Sequence, residues 1–186
     1  MPDFIDLRTL ALTAHIFGAI LGAGGAFASD TVFLNSVKDG IINVTEIRFI
    51  KLSGKLVWAG VILLIFSGAY VFYLSPEEFL ASSKFLAKMS IVGIILLNGI
   101  VFHTFHIPLL GESVDMPLKT FPKFMRFSNL VIVSGAVSMT SWIFTVALGV
   151  LKILPYSYGV IMLSYLISVI FSSAFALLLK KKLLHL

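Results

Sequence analysis

The residues able to do chemistry in this chain fall at two levels of otherwise apolar sequence. His15 defines the first: it sits about two turns into the run Thr9 to Ser29, which carries no charge. Helical spacing puts Ala11, Gly18, Ala19, Gly22 and Ala26 on its face. Small residues let neighbouring helices approach closely, so that face points into a bundle and away from lipid. An ionisable side chain turned inward at membrane depth is a candidate functional residue. At a rise of about 1.5 Å per residue, Lys88 can reach a similar depth on a parallel helix. A neutral imidazole and an unprotonated amine are both electron-pair donors, suited to be the two axial ligands of a haem or two nitrogens for copper. The competing reading has Lys84 and Lys88 snorkelling to headgroups while His15 donates to a helix carbonyl.

The second level holds Asp30, Asn98, His103 and His106. His103 and His106 are spaced i, i+3 on one helix, so they can converge on one metal ion with Asp30 as a hard third ligand. Simple solvation near a helix end is the alternative. His185, after the lysine run, is read as disordered. Asn35 to Glu46 imitates a calcium loop, with Asp39 at its fifth position, Gly40 at its sixth and Glu46 at its twelfth. Val37 at the third position offers no oxygen, so the segment reads as a turn at Asp39-Gly40 followed by a helix start at Glu46. Catalytic triads, glycine-rich phosphate loops and paired carboxylates are absent, and with no cysteine there is no disulfide, thiolate ligand or catalytic thiol.

These residues need membrane helices to position them. Hydrophobic residues make up 59% of the chain and charged ones 12%, where soluble domains carry about a quarter charged. Five stretches, about 9–29, 56–75, 89–107, 127–151 and 154–179, are long enough to span a bilayer. The expected fold is all-α: an integral membrane bundle of five transmembrane helices, a single domain with short loops. Asp3 and Asp6 replace the basic start of a signal peptide, so the first span is read as retained.

Alternating spans divide the basic residues unequally. One side carries Arg8, Lys84, Lys88 and Lys152; the other carries Lys38, Arg48, Lys51, Lys55, Lys119, Lys123, Arg126 and Lys180 to Lys182. Since short cytoplasmic loops hold the Lys and Arg excess, the N-terminus is expected outside and the C-terminus in the cytoplasm, as in a bacterial inner membrane protein. The net charge of +5 is thereby explained without a nucleic-acid partner. Lys180 to Lys182 read as a headgroup anchor.

Local signals set the boundaries. The first helix can run on to Val37, Pro76 starts a short helix, Pro108 closes the third span, and Pro155 opens the fifth. The fourth span is rich in hydroxyls and amides, from Ser128 and Asn129 to Thr145. These serve either as glue between helices or as a lining for an ion or proton path.

His15 followed by Gly24-Gly25 resembles the first membrane helix of CopD-type copper-resistance proteins, where a histidine precedes a glycine pair. Ser67-Gly68 is similar to that family's small-Gly pair, and Lys88 with Pro108 to its third helix. HemJ-type protoporphyrinogen oxidases look like relatives of this arrangement; the resemblance implies that His15 and Lys88 hold haem b and that the chain is a membrane oxidoreductase. It covers roughly residues 10–108. The chain departs from the pattern at Leu21-Gly22-Ala23, where an aromatic residue often stands, at His103 in place of arginine, and in lacking an arginine-rich rim for propionates.

Three functions follow as expectations: a redox-linked haem- or metal-binding protein with its site between the first and third spans, a transporter of copper, another ion or protons, and a non-catalytic scaffold or assembly subunit. The expected partners are the lipid bilayer and a second copy of the chain.

Overall fold

The structure is a computed structural model that describes residues 6–151 and 154–183, the side chains of 181–183 excepted. Lys152 and His185, the side chains of Lys181 and Lys182, and Asp3 lie outside the described residues. Five helices are long and apolar enough to cross a membrane, and no strand occurs among the described residues.

Helix α1 (Leu7–Asp39) begins where the Asp6 carboxylate accepts the Thr9 amide at 2.5 Å, which holds that carboxyl below its usual range. It ends at Gly40, whose φ of 79° is the left-handed cap conformation that glycine adopts without strain. Helix α2 (Val44–Leu74) starts from a capping box: Asn43 accepts the Glu46 amide while the Glu46 carboxylate accepts the Asn43 amide, both at 2.9 Å. The calcium-like spacing is thus a helix stop and a helix start, with Glu46 occupied by its own cap.

The chain then makes short α3 (Pro76–Leu80) and α4 (Ser83–Val101), a π-helical turn over Phe102–His106, and α5 (Ile107–Glu112). The third span was expected to close at Pro108, but the helical path runs through it to Glu112. Proline breaks a regular helix by its missing N–H and by its ring against the preceding turn. Here the wider π-turn, with the Ile107 amide donating to the Phe102 carbonyl five residues back, comes immediately before the proline and absorbs it. Helix α6 (Pro122–Val150) has Pro122 in its first turn, and α7 (Tyr158–Leu183) opens three residues later than Pro155.

Side-chain pairings fix the helix directions. Gly18 faces Gly60 and Gly25 faces Ser53, so α1 and α2 are antiparallel. Thr140 with Ser172 and Ser141 with Tyr165 run α6 against α7 in the same sense, while His15 beside Lys88 at one level and Asp30 sharing a cavity with Asn98 at another make α4 parallel to α1. One end of the bundle therefore holds the start of α1 and the other holds the end of α7.

The closest packing is backbone on backbone. A Cβ on Gly18 would stand 2.9 Å from the Gly60 carbonyl oxygen, and one on Gly25 would stand 2.9 Å from that of Ser53. Only glycine allows such an approach, and in lipid close packing is the main force between helices. At the end where α1 turns into α2, the connection pairs with the α5–α6 loop: the Asp115 amide donates to the Ile42 carbonyl and that of Leu118 to Gly40, both at 2.8 Å. Ile42 and Leu118 are fully buried there, with Leu109, Leu110 and Phe124.

Candidate functional site

The α1–α2–α4 contact brings the two expected nitrogen ligands together. Lys88 Nζ lies 3.5 Å from His15 Nε2. On its other side the His15 ring is fixed by Ser67, whose Oγ stands 3.0 Å from Nδ1. Because the Ser67 hydroxyl donates to the Leu63 carbonyl at 2.6 Å, it accepts from His15, which assigns the proton to Nδ1 and leaves the Nε2 lone pair facing Lys88. Gly68 makes room for the imidazole: a Cβ there would approach its Cε1 to 3.3 Å.

The sequence places Ser67-Gly68 about two turns from the end of α2 and Lys88 in the second turn of α4, so the three helices converge about two turns inside one end of the bundle. Lys88 also borders Gly149 near the end of α6, while Lys84 donates to the Leu151 carbonyl at 2.7 Å. Lys84 thus binds a carbonyl at a helix C-terminus, where a cation is favoured. Of the glycine pair, Gly25 packs on α2, whereas Gly24 faces open space.

At the second level the expected residues part company. Among the described residues no three of His, Cys, Asp and Glu gather closely enough to share an ion. Asp30 lies beside Gly135 of α6. His106 is 2% exposed, set edge-on between Phe102 and Phe105 with its Nε2 unpartnered. His103 is exposed and meets Trp58 edge-on. Residues three apart share a face in an α-helix, but the π-turn spreads them, sending one histidine inward and the other outward.

What Asp30 lines instead is a cavity of about 60 Å³, shared with Ser29, Asn98, Ser134, Ser138 and Trp142. Asn98 and Ser134 bind each other twice across α4 and α6: the amide donates to the Ser134 carbonyl at 3.1 Å and the hydroxyl donates to the Asn98 side-chain oxygen at 2.7 Å.

The remaining polar groups of α6 mostly act between helices. Ser141 bonds the Tyr165 hydroxyl at 2.8 Å and Thr140 bonds Ser172 at 2.9 Å. Lys180 was expected among headgroups, but it is 9% exposed and donates to Ser128 and to Asn129, each at 2.7 Å. The buried Ser128 hydroxyl and the Asn129 side-chain oxygen supply acceptors, so the ammonium turns toward the start of α6. The sequence signal for this was the polar start of the fourth span, directly opposite the end of the fifth.

No family model, curated protein or solved structure matches this chain.

Proposed function

We propose that this chain is a membrane-embedded, redox-linked metal-binding protein whose site is the His15–Lys88 nitrogen pair. One observation carries the reading: His15 Nε2 faces Lys88 Nζ at 3.5 Å while Nδ1 is tied to Ser67. A histidine that binds metal through one nitrogen ordinarily donates its other N–H to a fixed acceptor, which sets the tautomer and the ring orientation.

The donor set suits two forms. Two nitrogens about 2.0 Å from one metal and 3.5 Å apart subtend an angle of roughly 120°, which is an open coordination edge for copper. Were haem b bound instead, the same two nitrogens would hold its iron, and the group would supply one-electron transfer. The resemblance to CopD- and HemJ-type proteins favours haem, which His15 and Lys88 would hold.

The proposed setting is a bacterial cytoplasmic membrane with the N-terminus outside, because the basic residues concentrate at the opposite end. His15 and Lys88 then lie near the outer face.

An absorption spectrum with metal analysis of the purified protein tests the assignment. The expected result is a Soret band, or bound copper without one, lost on His15→Ala and on Lys88→Met. A preparation that is colourless and metal-free, and stays so after addition of haem or copper, overturns it. Ion transport is the second reading, favoured by the Asp30 cavity at the other level of the bundle.

A further inference from the structure

The cavity around Asp30 has a chemistry that the nitrogen pair does not share. Ser29 is 4% exposed, and its hydroxyl has no hydrogen-bond partner. A buried helical serine usually donates to a carbonyl one turn back, as Ser36, Ser67 and Ser141 do in this bundle. Ser29 does not, and the neighbouring Asp30 Oδ2 is buried and equally unpartnered. Two oxygens from successive residues that line one cavity thus lack the partner that burial demands. Asn98 and Ser134, by contrast, satisfy each other and frame the space.

The lining decides what kind of partner is missing. Asp30 is its one ionisable side chain; α2, the π-turn and α5 contribute none, and α4 and α6 contribute amide, hydroxyl and indole groups. There is no sulfur and no imidazole, so the available donors are hard oxygens, which suit alkali and alkaline-earth cations in preference to copper. Charge narrows the choice further. One carboxylate balances one positive charge, whereas a divalent ion would leave an excess charge buried. A cavity of about 60 Å³ admits a small ion with some of its waters.

We propose that this cavity is a binding site for one monovalent alkali cation of sodium size, held by the Asp30 carboxylate and the Ser29 hydroxyl. The remaining coordination comes from water and from Ser138 on α6. Binding neutralises Asp30 and completes the contact between α1 and α6 at that level. The site does not depend on the metal reading of His15 and Lys88.

The full-length protein in detergent is titrated with sodium chloride against choline chloride at constant ionic strength, by calorimetry and by thermal unfolding. The expected result is saturable binding of one sodium ion per chain with a rise in unfolding temperature. Asp30→Asn, close to isosteric, removes both, and Ser29→Ala weakens binding about tenfold. His15→Ala leaves sodium binding unchanged, which separates a failure here from a failure of the nitrogen site. Absence of saturable sodium binding in the unsubstituted protein overturns the proposal, leaving a protonated carboxyl among waters. So does binding that persists in Asp30→Asn. If Asp30→Asn does not fold, Ser29→Ala decides by the same titration.

Discussion

The indole of Trp142 lies over Gly22 so closely that no Cβ fits between them. Gly22 stands seven residues after His15 and eight before Asp30, and Trp142 is also a wall of the Asp30 cavity. The ring therefore partitions the bundle, with the nitrogen pair on one side and the oxygen-lined cavity on the other.

Removing that partition should cost stability and enlarge the lower cavity. Trp142 is 2% exposed, and truncating a buried tryptophan to alanine costs on the order of 3 kcal/mol when the surroundings cannot collapse. The glycine contacts of α1 and α2 hold the neighbouring backbone in place, so collapse is restricted. Trp142→Ala should unfold at lower denaturant than the parent, while Gly22→Leu, which drives a side chain into the indole, should not assemble at all. Equal unfolding midpoints for Trp142→Ala and the parent would remove the partition from the account.

Ser67 should tune the nitrogen pair without touching its ligand. Its hydroxyl accepts from His15 Nδ1 and donates to Leu63, so Ser67→Ala frees the ring to rotate or change tautomer. Loss of such a supporting partner typically weakens metal affinity 10- to 100-fold. Copper or haem titration of Ser67→Ala should show a loss of about that size with the fold retained. Ser67→Thr, which keeps the hydroxyl, should restore binding.

The helices and their inward faces were legible because they rest on local signals. An uncharged run, small residues around His15, Gly40 after a helix, and Asn43 with Glu46 each carry their meaning within a few positions. The meeting of His15 with Lys88 was also readable, since parallel helices and residue rise fix depth. Two things were not. The π-turn before Pro108 leaves no sequence signature distinct from an ordinary proline stop, and it rotates His103 away from His106. The inward turn of Lys180 depends on Ser128 and Asn129, more than fifty positions away, and nothing in a run of three lysines distinguishes a buried first member from a solvated one.

Lys180 offers a direct contrast between an anchor and a buried contact. A lysine bound to anionic headgroups loses its contribution when those lipids are absent or salt is raised. An ammonium shared by Ser128 and Asn129 inside the bundle is insensitive to both. Lys180→Ala should destabilise the protein by about 1–3 kcal/mol, the loss of its charge-assisted hydrogen bonds to the buried Ser128 hydroxyl and to Asn129. The loss should be the same in neutral and in anionic bilayers. A loss confined to anionic bilayers would return Lys180 to the headgroups.

The orientation can be read directly because the chain contains no cysteine, so any single introduced thiol is unique. Glu78 on α3 and Lys119 in the α5–α6 loop lie at opposite ends of the bundle, and both are exposed. The proposed orientation sets the Lys119 end, with its basic excess, in the cytoplasm, since translocating clustered Lys and Arg is unfavourable. In intact cells a membrane-impermeant maleimide should label Glu78→Cys and leave Lys119→Cys unlabelled until lysis. Neither substitution touches the His15–Lys88 pair or the Asp30 cavity, so both proteins should assemble normally. The reverse pattern would place His15 and Lys88 near the inner face, and a metal or haem at that pair would then be loaded from the cytoplasm.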